Sequence, residues 1–225
     1  MKVQQVLTGM MMNKRFTVLS LFLTTSLSCF AAMADDATQL REKLSNIDSL
    51  HATFSQQVTD INNKPIQSGS GVFALAYPNQ FYWHLTEPDD SLIVADGVNL
   101  WIYNPFAEEV TVMDVAQAVD ASPMALLVHR DEATWAKYSV TKRAVNAKAS
   151  CFDIQPKKLN SNVVAVSVCF EASQLVKFNL TDEQGNLSQF ALTQQRTVKP
   201  DEASIFEFAV PDNVDIDDQR LKQTN

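Results

Sequence analysis

From Leu50 onward the chain is a succession of short segments rich in Val, Phe, Thr and Tyr, set apart by Pro, Asn, Asp and Gly. That punctuation confines it to antiparallel strands joined by tight turns. The segments are Ala52 to Thr59, Ser68 to Ala76, Gln80 to Thr86, Ser91 to Ala95, Asn99 to Tyr103 and Val110 to Met113. A second series follows at Tyr138 to Ala144, Cys151 to Gln155, Val163 to Glu171, Leu175 to Leu180, Leu187 to Gln194 and Ser204 to Ala209. Asp96-Gly97 and Gly185-Asn186 carry hairpin-turn chemistry. Two stretches read differently. Leu40, Leu44 and Ile47 recur at helical spacing in Ala37 to Ile47, and Val115 to Val128 reads as a helical insertion restarted at Ser122-Pro123. The pattern predicts a fold that is mainly β with helices, a single curved antiparallel sheet with helices on one side.

The cysteines fit this layout. If Lys158 to Asn162 join two strands, antiparallel partners have numbers adding to about 320, which sets Cys151 opposite Cys169. A cross-strand disulfide and a pair of buried thiols both satisfy that geometry.

The first 34 residues read as a cleavable secretion signal. Lys14 and Arg15 form a positive region, Phe16 to Phe30 an apolar run, and Ala32-Met33-Ala34 a small-x-small site, so the mature domain spans 35–225. The apolar run is shorter than the roughly 20 residues that span a bilayer. Met12 would give an n-region of ordinary length if translation starts there. Cys29 raises a rival reading, cleavage and acylation as a lipoprotein, but Ser26 stands where such sites usually carry Leu. Cleavage after Ala34 removes Lys2, Lys14 and Arg15 and no acid, leaving 15 basic against 26 acidic residues, net −11. A net charge of that size argues against nucleic acid and anionic membrane surfaces as partners.

No catalytic motif is visible. His51, His84 and His129 stand far apart, without a metal-ligand spacing around them, and five glycines leave little room for a phosphate-cradling loop. Asp96, Glu108 and Glu109 read as turn or surface carboxylates, so no enzyme activity, metal or cofactor is expected. What stands out is apolar: Phe81, Trp83, Leu85, Leu92, Val94, Trp101, Tyr103 and Phe106 on neighbouring strands, beside a Met- and Leu-rich stretch. They suit an ordinary core, or the apolar concave face of a curved sheet that accepts acyl chains. Phe81, Trp83 and Leu85 share a face, but the pattern leaves open which face is concave.

The run from Tyr77-Pro78-Asn79-Gln80-Phe81-Tyr82-Trp83-His84 to Pro88-Asp89-Asp90-Ser91, with Leu100-Trp101-Ile102-Tyr103-Asn104-Pro105-Phe106, Ser122-Pro123 and Asp217-Asp218-Gln219-Arg220, resembles the periplasmic outer-membrane lipoprotein carrier family, LolA. The resemblance covers nearly the whole mature chain. It implies an incomplete β-barrel closed by a helical lid, a monomer without enzymatic activity. Such a carrier takes acylated lipoproteins from an inner-membrane lipoprotein-releasing transporter to an outer-membrane lipoprotein receptor. It places Phe81, Trp83, Leu92, Trp101 and Phe106 at the cavity or its rim, and Met124, Leu126 and Leu127 on the lid. An outer-membrane receptor acylated at Cys29, or a structural or sensory domain that binds no lipid, are the alternatives.

Two departures bear on mechanism. Relatives carry Arg before the Pro of the first motif, where it helps hold the lid; here the position is Tyr77, so the lid is expected to close more weakly or by other contacts. The connection from Gln194 to Ser204 is short for the family, which leaves the C-terminal sheet edge open or re-paired.

Overall fold

In a computed structural model, residues 35–117, 126–146, 148–158 and 163–221 are described. Helix α1 (Asp36–Ser45) opens the domain. Strands β1 (Ser49–Thr59), β2 (Pro65–Ala76), β3 (Gln80–Glu87), β4 (Ser91–Asp96), β5 (Asn99–Asn104) and β6 (Glu109–Asp114) follow as successive hairpins. After a short helix α2 (Glu132–Trp135) come β7 (Tyr138–Ala144), β8 (Ala149–Pro156), β9 (Val163–Glu171), β10 (Gln174–Asp182) and β11 (Leu187–Arg196), then a 3₁₀ helix (Pro200–Phe206) and β12 (Asp215–Asp218). All twelve strands form one unclosed sheet in the order β12-β6-β5-β4-β3-β2-β1-β11-β10-β9-β8-β7. β7 and β9 occupy the residues that the sequence pattern assigns them.

The sheet is curled. β3 and β10 are four strand spacings apart, about 19 Å on a flat sheet. Yet the rings of Trp83 and Phe178 lie 5.8 Å apart. Phe54, Phe73, Phe178 and Phe190 join Trp83 in this cluster, with Phe54 stacked on Trp83 at 4.0 Å and Phe178 on Phe190 at 4.7 Å. Aromatic side chains are large enough to fill the inside of such a curl from both walls.

Helix α1 forms because Asp35 caps it, its carboxylate accepting from the Thr38 N–H, while Leu40 and Leu44 give it one apolar face. That face is buried in the core with Phe54, Phe73, Phe152, Phe170, Leu126 and Leu127. The helix also shields the β7 edge: Asp36 accepts the Lys142 N–H at 2.9 Å, and Lys142 Nζ reaches Gln39 Oε1 at 2.7 Å. Cys151 and Cys169 sit directly opposite each other on β8 and β9 and are joined by a disulfide.

The C-terminal segment departs from the sequence reading. Ser204 to Ala209 is not a strand; the chain forms the 3₁₀ helix instead, with Pro200 in its first turn and Glu202 accepting from the Lys199 N–H at 3.1 Å. Arg196 pairs with the same carboxylate, at 3.0 Å through its second nitrogen. The segment crosses β3 and β4, buries Phe206, and lays Phe208 on Trp101 with ring centroids 5.4 Å apart. It ends as β12, which pairs in parallel with β6 and occupies the sheet edge. Of the two outcomes expected for the C-terminal edge, open or re-paired, the sheet takes the second.

Candidate functional site

Residues directly opposite in an antiparallel pair share a face, and successive residues alternate. Phe81, Trp83 and Leu85 belong to the face turned toward the core, packed against its buried cluster. Trp83 pairs with Ile93 and Ile93 with Ile102; Phe81 pairs with Ala95, Ala95 with Leu100, and Leu100 with Met113. The concave face of β3 to β6 is therefore Phe81, Trp83, Leu85, Ile93, Leu100, Ile102 and Met113, all half-buried. It is an apolar strip several strands wide.

The residues assigned from the family resemblance divide between the two faces. Leu92 pairs with His84 and with Tyr103, and Trp101 pairs with Val94 and Val112, so both lie on the convex face. There Val94, Val110 and Val112 are buried near the Phe206 and Phe208 segment. Phe106 lines neither face: it is 97% exposed in the turn after β5, where Asn104 Oδ1 accepts the backbone N–H groups of Phe106 and Ala107. Leu92 and Trp101, expected at the cavity or its rim, therefore lie off the concave face, and Phe106 lies in the turn beyond β5; Ile93, Leu100, Ile102 and Met113 share the concave face with Phe81 and Trp83, and only cross-strand register reveals them. Leu126 and Leu127 are fully buried with α1 and the aromatic cluster; Met124 lies outside the described residues.

A trough of about 400 Å³ on the opposite side of β1, β2, β10 and β11 is lined mainly by Ser55, Gln57, Ser68, Lys177 and Gln189. Its lining residues are mostly polar and include one cation, Lys177.

Asp96, which the sequence pattern reads as a turn or surface carboxylate, is a structural hydrogen-bond acceptor. Its oxygens accept from the Val98 and Asn99 N–H groups at 2.8 and 2.7 Å, the Asn99 amide at 3.2 Å and the Trp101 indole at 2.9 Å. Burial alone would raise its pKa, but the hydrogen bonds from Asn99, Trp101 and Val98 outweigh it and hold the group below its ordinary value. A depressed carboxylate contributes stability that is present above its unfolded pKa and lost as pH falls through the folded one. Asp96→Asn is expected to flatten the acid limb, so that between about pH 5 and pH 3 its urea midpoint falls less steeply than that of wild type. Parallel curves for the two proteins would refute this role.

The histidines hold local contacts: His84 Nε2 lies 2.8 Å from Asp90, and His129 Nε2 3.2 Å from Asp131. Among the described residues no group of three His, Cys, Asp or Glu could hold a metal, and no helix is long and apolar enough to cross a membrane.

An unclosed curled sheet whose concave face is lined by half-buried apolar side chains has the geometry of a container for apolar chains. Comparison with known proteins names the container. Residues 45–209 match the family model for the outer membrane lipoprotein carrier protein LolA. The chain is 90% identical over 214 residues to the outer-membrane lipoprotein carrier protein of Shewanella frigidimarina, covering 95% of this chain and all of that one. It is 60% identical over 195 residues to its counterpart in Shewanella sp. (strain W3-18-1), covering 87% and 91% of the two chains. Among solved structures it is similar to a LolA superfamily protein from Nitrosomonas europaea, at 13% identity and a TM-score of 0.42, over 75% of this chain and 97% of that one. The chain belongs to the LolA family of lipoprotein carriers.

Proposed function

We propose that residues 1–34 direct export and are removed after Ala34, and that the mature domain works as a soluble monomer in the periplasm. There it binds the acyl chains of lipoproteins against Phe81, Trp83, Leu85, Ile93, Leu100, Ile102 and Met113. It takes them from an inner-membrane transporter and passes them to an outer-membrane receptor. The observation that carries this reading is the concave strip on β3 to β6, apolar and only half-buried where the rest of the core is closed.

The energetics require such a surface. Burying a methylene is worth about 0.8 kcal/mol, so acyl chains totalling roughly 45 methylenes would cost on the order of 35 kcal/mol to expose to water. A carrier must offer comparable apolar contact and still let go. Half-buried side chains on a curled sheet, with Leu126 and Leu127 buried against its other half, meet both demands. The net charge of −11 adds a second advantage, because anionic bilayers repel the carrier on either side of its route.

Incubating the purified mature protein with spheroplasts is expected to release lipoproteins into a soluble one-to-one complex. Folded protein that leaves every lipoprotein in the membrane would overturn the reading. An intact mass beginning at Asp35 without acyl additions is expected for the secreted form.

A further inference from the structure

The short helix α2 carries a polar group that the free protein leaves unused. Trp135 is 6% exposed and belongs to the same buried cluster as Leu40, Leu44, Leu126, Leu127 and Tyr138. Its indole Nε1 is enclosed and has no hydrogen-bond partner. The residue is held firmly. Asp131 caps the helix by accepting the Thr134 N–H at 2.9 Å, and its carbonyl accepts the Trp135 backbone N–H at 3.2 Å. The Arg41 guanidinium carbon of α1 lies 5.7 Å from the ring centre, over the ring. That contact engages the ring face, whereas the N–H lies at the ring edge and in its plane, so it stays unsatisfied. Buried tryptophans normally place this N–H on an acceptor, as Trp101 does on Asp96 at 2.9 Å. Earlier on the same segment, Arg130 has its guanidinium carbon 4.3 Å from the centre of the Tyr77 ring and its Nη2 on the Ile47 carbonyl, while its Nε is likewise enclosed without a partner. Among the described residues, both enclosed side-chain N–H groups that lack an acceptor thus lie on the segment that follows Leu126, Leu127 and Val128.

We propose that the Trp135 indole N–H is a recognition group for cargo: it donates to the carbonyl oxygen at the head of an acyl chain, ester or amide, and so selects acyl groups over bare hydrocarbon. This rests on the carrier reading of the concave strip. Trp83 and Leu85 of that strip pack on the same cluster as Trp135, so a chain laid along the strip and the indole share one apolar interior. There an acyl carbonyl loses its water and needs a donor, and an indole N–H can only donate. Each group is costly alone in such surroundings, and pairing them removes both penalties in the complex only. Methylene burial cannot make the same distinction, because an ether-linked chain of equal length buries the same hydrocarbon.

The test uses the whole mature domain and two fluorescent lipopeptides that differ in one feature, a diacylglyceryl group joined through esters and its dialkylglyceryl ether counterpart of equal chain length. Wild type is expected to bind the diester about five- to tenfold more tightly than the diether. Trp135→Phe keeps a ring and removes the N–H, and the preference is expected to fall to within about twofold. A merely structural role for Trp135 would lower both affinities together and leave their ratio untouched. A second measurement needs no variant. By proton NMR, the diester is expected to move the Trp135 indole N–H resonance downfield and the diether to leave it in place, with Trp101, already bonded to Asp96, as the internal reference. Should Trp135→Phe lose its fold, the NMR titration decides alone. Equal affinity of wild type for the two peptides, a preference that survives in Trp135→Phe, or an indole shift common to both ligands would each overturn the assignment. Wild type that binds neither peptide would defeat the carrier reading and this one with it, whereas binding of both without preference would defeat only the role given to Trp135.

Discussion

Replacing Gly71 by alanine is expected to destabilise the domain by about 3 kcal/mol or more, a large part of the 5–15 kcal/mol that a domain of this kind has to lose. A Cβ at position 71 would lie 2.0 Å from the His84 carbonyl oxygen and 2.7 and 2.8 Å from the edge of the Phe54 ring. The first obstacle is backbone, which cannot rotate away. β2 and β3 would have to part where their register already shifts, between Ser70 and Gly71. The second obstacle is the ring stacked on Trp83 at 4.0 Å, so relief of one contact disturbs the aromatic cluster. Gly69 is similar, with the Glu87 carbonyl 2.6 Å from its added Cβ. Gly97 separates steric from conformational cost: nothing lies within 4 Å of its Cβ, but its φ is +102°. Gly97→Ala is therefore expected to cost about 1 kcal/mol, from backbone strain alone. Urea unfolding of the three variants checks the order. A Gly71→Ala midpoint within error of wild type would show that the two strands can separate freely here.

The same glycines show what the sequence made legible. A Gly-x-Gly inside a strand marks a bulge or a close approach of backbone, and the sequence reading passed over it while using Gly97 and Gly185 as turn residues. Strand existence was readable because each strand is bounded by its own turn chemistry, which is local. The curl was not local: it depends on Trp83 meeting Phe178 from strands nearly a hundred residues apart in the chain. Ser204 to Ala209 looked like a strand because Phe206 and Phe208 alternate with polar residues. Pro200 and the acidic pair Asp201-Glu202 were the signal for a helical turn ahead of it.

The face on which each of the site's side chains lies was not legible in the sequence, for a physical reason. Normally the apolar side of an alternating strand faces the core and the polar side faces water. On β4 and β5 both sides are apolar, since the concave side holds Ile93, Leu100 and Ile102 while the convex side holds Leu92, Val94, Trp101 and Tyr103 beneath the C-terminal segment. With no polar side to orient by, the face of each strand depends on pairing register. A one-residue change in that register exchanges the two sets. The pairing of Leu85 with Ser91 fixes it, and nothing in Glu87-Pro88-Asp89-Asp90 alone specifies that choice. The partner of Tyr77 was hidden likewise: the missing cation sits 53 positions away, and only the fold brings Arg130 to the ring.

The face assignment leads to the largest functional effect expected of a single substitution. Ile102→Asp is expected to weaken binding of an acylated peptide by 100-fold or more, about 2.8 kcal/mol at 1.4 kcal/mol per decade, while leaving the domain folded. Ile102 is half-buried and lies between Ile93 and Thr111, so in the free protein an aspartate there keeps part of its water. An acyl chain laid over it would strip that water and offer no hydrogen bond in return. The cost therefore falls on the bound state and not on the fold. Trp101→Phe, one position away, is the matched control. It keeps a ring to stack on Phe208 and loses the indole donor to Asp96, so about 1 kcal/mol of stability should go while peptide binding stays within twofold of wild type. Peptide titration and urea unfolding of the two variants give opposite patterns if the concave strip is the binding surface. Should Trp101→Phe abolish binding and Ile102→Asp spare it, the acyl chains would have to lie on the convex side, beneath the segment that carries Phe206 and Phe208.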